Sequence, residues 1–151
     1  MTINTNMAHE IHLNSQENNW NEMDKKLIKA FAEYLFKVLV VKFPVKIELK
    51  QSYEDGNVAV STDLRLAYVL PEERSIIIYC KNRGLLDILR SIAHEVIHME
   101  QQDKGLLDNV KISFYLPDEN AEGYGLEYEA YGKSGIIVRN FRAILDKMSK
   151  Q

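Results

Sequence analysis

Apolar residues recur at helical spacing from Trp20 to Val41, with Met23, Leu27, Ala30, Phe31, Tyr34, Leu35, Val38 and Leu39 on one stripe. Lys25, Lys26, Lys29, Glu33 and Lys37 interrupt the segment too often for a membrane span, and Pro44 closes it. The pattern then turns to strands. Val45–Ser52 and Asn57–Ser61 are predicted to flank a turn at Asp55-Gly56. Leu66–Leu70 and the β-branched run Ser75–Cys80 are predicted as a hairpin joined by Pro71-Glu72-Glu73-Arg74.

Leu85–Gln102 contains no Pro or Gly and lies between Gly84 and Gly105, two natural helix breakers. Leu85, Leu86, Ile88, Leu89, Ile92, Ala93, Val96, Ile97 and Met99 cover most of its circumference, so this helix is expected to be largely buried. Its narrow polar stripe, Asp87, Ser91, His94, Glu95, His98 and Gln102, is then expected to line a cleft. After a loop over Lys104–Gly125, a last amphipathic helix spans Leu126–Met148. Its stripe is Ala130, Tyr131, Ser134, Ile137, Val138, Phe141, Ile144, Leu145 and Met148.

This order predicts an α+β domain: an N-terminal helix, a small mixed or antiparallel sheet with a hairpin, a buried helix and a C-terminal helix. Residues 20–151 are expected to form that single domain. Residues 1–19, polar and Asn-rich, are expected to be a flexible tail without a signal-peptide core. The tail holds His9-Glu10-Ile11-His12, for which a secondary metal site or a pro-segment role is the less favoured reading. A net charge of −3 and the absence of any basic run argue against a nucleic-acid partner. One cysteine, Cys80, excludes an internal disulfide and fits a reducing, cytoplasmic setting. In a strand it is expected to be buried rather than nucleophilic.

The chemistry concentrates in His94-Glu95-Val96-Ile97-His98. Residues four apart on a helix lie one turn above each other, so both imidazoles can reach one Zn2+ ion. Glu95 is rotated away from that pair and is free to act as a general base. A catalytic zinc takes three protein ligands and keeps one position open. No histidine follows His98, so the third ligand must be a downstream carboxylate. Glu127 shares the apolar stripe of the last helix, and a carboxylate facing inward is costly unless paired or metal-bound. Glu129 falls off that stripe and is the alternative. Glu119 and Glu122 rank lower because Asp118–Gly125 is expected to be loop.

His94-Glu95-Val96-Ile97-His98 followed by Glu127-Tyr128-Glu129-Ala130 resembles the gluzincin pattern of H-E-x-x-H then E-x-x-A. That pattern is shared by ImmA/IrrE-like peptidases and by membrane-embedded peptidases that process prenylated proteins. The resemblance covers roughly residues 75–140 and implies zinc ligation by His94, His98 and Glu127. Those families usually carry Asp or Asn after the Ala, where this chain has Tyr131, so support for a zinc-bound histidine must come from elsewhere.

The expected function is a soluble zinc metallopeptidase acting on a peptide or protein, with no nucleic-acid or membrane partner. Glu95 is the expected base. Tyr124, Tyr128 and Tyr131 are candidates to stabilise the oxyanion, Tyr131 foremost by its position on the face of Glu127, though core packing competes for each. The alternatives are a zinc-bound scaffold without peptidase activity and, more weakly, a hydrolase of non-peptide amides. Retention of Glu95 favours the enzyme, because a structural site has no use for a base.

Overall fold

A computed structural model describes residues 2–4, 9–13, 20–50, 67–70, 73–81, 83–108 and 121–150. Within them the elements run β1 (Thr2–Asn4), β2 (Glu10–Leu13), α1 (Glu22–Val38), β3 (Lys46–Lys50), β4 (Ala67–Leu70), β5 (Ser75–Tyr79), α2 (Leu85–Asp103) and α3 (Ala121–Ser149). The architecture is α+β. The sheet is mixed, in the order β1-β2-β3-β5-β4. β2–β3 and β3–β5 are parallel, whereas β1–β2 and β4–β5 are antiparallel.

Alternation along the strands fixes the register. Ile11 pairs with Ile47 and Ile47 with Ile76, while Leu13 pairs with Leu49 and Leu49 with Ile78. All six are buried, so two apolar rows cross the sheet on one face. A one-residue slip would replace them with Glu10, His12, Lys46 and Glu48. The helices complete the same core, with Phe31 and Leu35 of α1, Ile92 and Met99 of α2, and Phe141 of α3 in one cluster. Phe31 meets Phe141 edge-on at 5.1 Å.

The expected hairpin is present as the antiparallel β4–β5 pair. The predicted strand Asn57–Ser61 lies outside the described residues. Two expectations are corrected. Residues 1–19 do not form only a tail: Glu10–Leu13 is a strand inside the sheet and Thr2–Asn4 pairs with it. His9 is buried, stacked on Phe36 at 3.8 Å, and its Nδ1 accepts a hydrogen bond from the Val45 amide. Parallel pairing with β3 supplies the order that the short local pattern of β2 could not. Secondly, the last helix starts at Ala121, so residues 121–125 of the expected loop are helical. Glycine there disfavours helix by about 1 kcal/mol without forbidding it. Tyr124 and Tyr128 stack one turn apart in compensation.

Three polar clamps set α2 in place. At its start, the Arg83 side chain donates to the Tyr79 carbonyl at 2.7 Å and to the Asp87 carboxylate at 2.8 Å, joining β5 to α2. Near its end, the Glu100 carboxylate accepts from the Val40 amide at 2.6 Å and from Lys133 at 2.9 Å, joining α2 to the end of α1 and to α3. Asp103 accepts from Arg74 and from the Lys42 amide. Arg74 has φ of 52°, a strained value for a non-glycine residue. Its guanidinium holds Asp103, Phe43 O and Pro44 O together.

Candidate metal centre

α2 and α3 make the most extensive helix–helix contact and run antiparallel, since Gln101 meets Leu126 while Leu86 shares a cavity with Arg142. This apposition brings the polar stripe of α2 against the first half of α3. His94, His98 and Glu127 converge so that one ligating atom from each lies within 4.8 Å of the others. Among the described residues they are the one such group of three. His98 Nε2 stands 3.3 Å from Glu127 Oε1, and His94 Nε2 contacts the same oxygen. The imidazole centroids are 4.9 Å apart with planes at 83°.

The donor types suit a divalent metal, zinc among them. Two atoms each about 2.0–2.1 Å from a tetrahedral zinc stand about 3.3 Å apart. The separation of His98 Nε2 from Glu127 Oε1 matches that edge, whereas His94 Nε2 lies closer to the same oxygen than two ligands of one zinc would. Two imidazole nitrogens and one carboxylate also form one of the known three-ligand sets of catalytic zinc. Of the alternative ligands, Glu129 and Glu122 are exposed, and Glu119 lies outside the described residues.

Gln101 settles which nitrogen of His98 faces the centre. Its amide lies between His98 Nδ1, at 2.8 Å, and the Leu126 carbonyl, at 3.0 Å. A carbonyl can only accept, so the amide nitrogen points to Leu126 and the amide oxygen to His98. Nδ1 therefore carries the hydrogen, and the Nε2 lone pair is left for a ligand. Gln101 is 1% exposed and joins one candidate ligand to the residue immediately before another. Sequence reasoning missed it, although the spacing from His94 and His98, seven and three residues, places it on their helix row.

Electrostatics divides the carboxyls into two kinds. Burial opposes ionisation of Glu127, but hydrogen bonds and charge from His94 and His98 outweigh it and bring the pKa down to about 2. Glu95 is buried, and desolvation pushes its pKa above the ordinary carboxyl value despite the opposing effect of both histidines. Burial also opposes charge on His98, yet hydrogen bonds to Glu127 and Gln101 and the Glu95 charge leave its pKa raised. Cys80 is buried and its thiol is pushed up to about 12, which leaves it unreactive.

Tyr131 departs from the expected core stripe: it is 61% exposed, with its ring edge-on to His94 at 5.4 Å. It borders the centre rather than packing beneath it. Tyr128 is exposed too, and Tyr124 is half-buried. His12 pairs with Glu10 at 2.9 Å and belongs to no metal-ligating group among the described residues. No helix among the described residues is long and apolar enough to cross a membrane. No family model, curated protein or solved structure matches this chain.

Proposed function

We propose that the chain is a zinc-dependent metallopeptidase of gluzincin type, with His94, His98 and Glu127 as ligands and Glu95 as general base. The observation that carries this reading is the convergence of two histidines one turn apart with a carboxylate from a second helix, beside a buried glutamate outside the donor set. His94, His98 and Glu127 would hold the zinc ion, which would supply Lewis acidity and ease deprotonation of the attacking water. Glu95 takes a proton from the attacking water and delivers it to the departing amine. Its raised pKa brings it nearer the neutral range in which one group can both accept and donate. Tyr131, edge-on to His94 at the rim, stabilises the oxyanion by donating its phenolic hydrogen. Among the described residues β4 ends the sheet and touches α2, which suits pairing with an extended peptide.

The test is cleavage of an unbiased peptide library read by mass spectrometry, comparing zinc-loaded wild type with Glu95→Gln. The proposal expects discrete cleavage products from wild type and none from the variant. Zinc binding without cleavage of any library member would favour the scaffold reading. The peptide or protein substrate and the cytoplasmic setting belong to the same proposal.

A further inference from the structure

A cavity of about 320 Å³ opens between α2 and α3, beyond the metal centre. Its lining includes Leu86 and Arg90 from α2, and Gly135, Arg139, Arg142 and Asp146 from α3. Its charged lining is thus three arginines and one aspartate, all exposed. Arg74 and Arg83 are fully engaged in internal hydrogen bonds. By contrast, the side chains of Arg90, Arg139 and Arg142 make no ion pair or hydrogen bond with any other described residue. Asp146 can at most neutralise one of them. Arginine stays charged at all working pH values, and its planar fork matches a carboxylate in two parallel hydrogen bonds.

The cavity lies along the same α2–α3 seam as the metal centre, and no candidate ligand lines it. Arg90, His94 and His98 form one four-residue row on α2, and Glu127, Tyr131, Gly135 and Arg139 form the facing row on α3. Arg90 precedes His94 and His98 by about 6 and 12 Å along α2, and Arg139 follows Glu127 by about 18 Å along α3, so the arginines lie roughly two to five residues of extended peptide from the centre. Gly135 lines the cavity, and a Cβ built there meets nothing within 4 Å.

We propose that this three-arginine cavity binds a carboxylate of the peptide lying across the metal centre, several residues from the scissile bond. The carboxylate is an acidic side chain or the chain terminus. This specificity rests on the peptidase reading, but the charge recognition can be tested without catalysis. The probes are fluorescein-labelled random decapeptide pools carrying Glu or Gln at one fixed position, each made as free acid and as C-terminal amide. Binding to Glu95→Gln protein is followed by fluorescence anisotropy, with and without zinc.

The expected result is about tenfold tighter binding of one carboxylate-bearing pool, the gain typical of a charge-assisted pair. That preference should weaken with salt. It should vanish both in the Arg90→Gln/Arg139→Gln/Arg142→Gln variant and in Gly135→Leu, which places a side chain in the cavity without touching charge. A preference following the fixed Glu identifies a side-chain site, and one following the free terminus identifies a C-terminal site. Equal binding of all pools, or a preference that survives the triple substitution, overturns the proposal. If the library assay shows no peptide cleavage while the arginine-dependent preference persists, the peptidase reading fails and the carboxylate site stands.

Discussion

Replacing Gln101 with Met removes two hydrogen bonds while nearly conserving side-chain volume at a position that is 1% exposed. Loss of the amide oxygen frees His98 to rotate and to place its hydrogen on either nitrogen, so the Nε2 lone pair is no longer held towards the centre. Removing such a partner of a zinc-bound histidine lowers metal affinity about 10- to 100-fold. Loss of the amide nitrogen removes the second bond to the Leu126 carbonyl, which lies within α3, and costs about 1 kcal/mol at this half-buried position. Gln101→Glu separates the two effects. Its carboxylate still accepts from His98 Nδ1, but it presents an acceptor to the Leu126 carbonyl. Zinc competition against a fluorescent chelator and urea unfolding of metal-free protein read the two effects independently. Gln101→Met should weaken both, whereas Gln101→Glu should keep metal affinity and lose stability. Zinc binding by Gln101→Met at wild-type strength would refute the positioning argument.

Other perturbations probe the frame around the centre. Asp103→Asn removes a carboxylate that is 3% exposed in its side chain from Arg74, and should destabilise the fold by about 3 kcal/mol in urea unfolding. Burial opposes ionisation of Asp103 and Glu100, yet hydrogen bonds from Arg74 and Lys42, and from Val40 and Lys133, hold both pKa values below the ordinary range. Their stabilisation is therefore complete above about pH 4.5 and is lost as pH falls through the lower folded values. Asp103→Asn should flatten that acid limb in unfolding measured between pH 3 and 6. Gly132→Ala and Gly135→Ala meet nothing within 4 Å in α3 and should each stabilise by about 0.8–1 kcal/mol, raising Tm in a thermal melt. Protonated His98 cannot ligate, and its pKa is raised, so zinc affinity by competition titration should already decline as pH falls towards 6.5.

The parts of this molecule that were legible in the sequence are those whose information is local. His94 and His98 sit one turn apart because helical geometry alone dictates it, and the apolar circumference of α2 states its burial. Glu127 was reachable because its own helix stripe and the need for a third ligand point to the same residue. β2 was not legible. Its apolar pattern is only Ile11 and Leu13 within polar flanks, and β3, which orders it, lies more than thirty residues away. The stripe of α3 was read too wide for a related reason. Beyond Phe141 the helix outruns the start of α2 at Leu85, so Ile144 and Met148 face solvent where the pattern alone suggests core. Tyr131 lies at the border of the stripe, on the side that opens to His94. The partnership of Gln101 with Leu126 depends on the antiparallel apposition of α2 and α3, which no single-segment pattern encodes.

Zinc content per chain, measured by elemental analysis after metal loading and dialysis, tests the central claim most directly. The variants to compare with wild type are Glu127→Ala, Glu129→Ala and Glu95→Gln. One zinc is expected in wild type, Glu129→Ala and Glu95→Gln, with a loss of retained zinc in Glu127→Ala. A wild-type protein that retains no zinc, or a loss confined to Glu129→Ala, would contradict it.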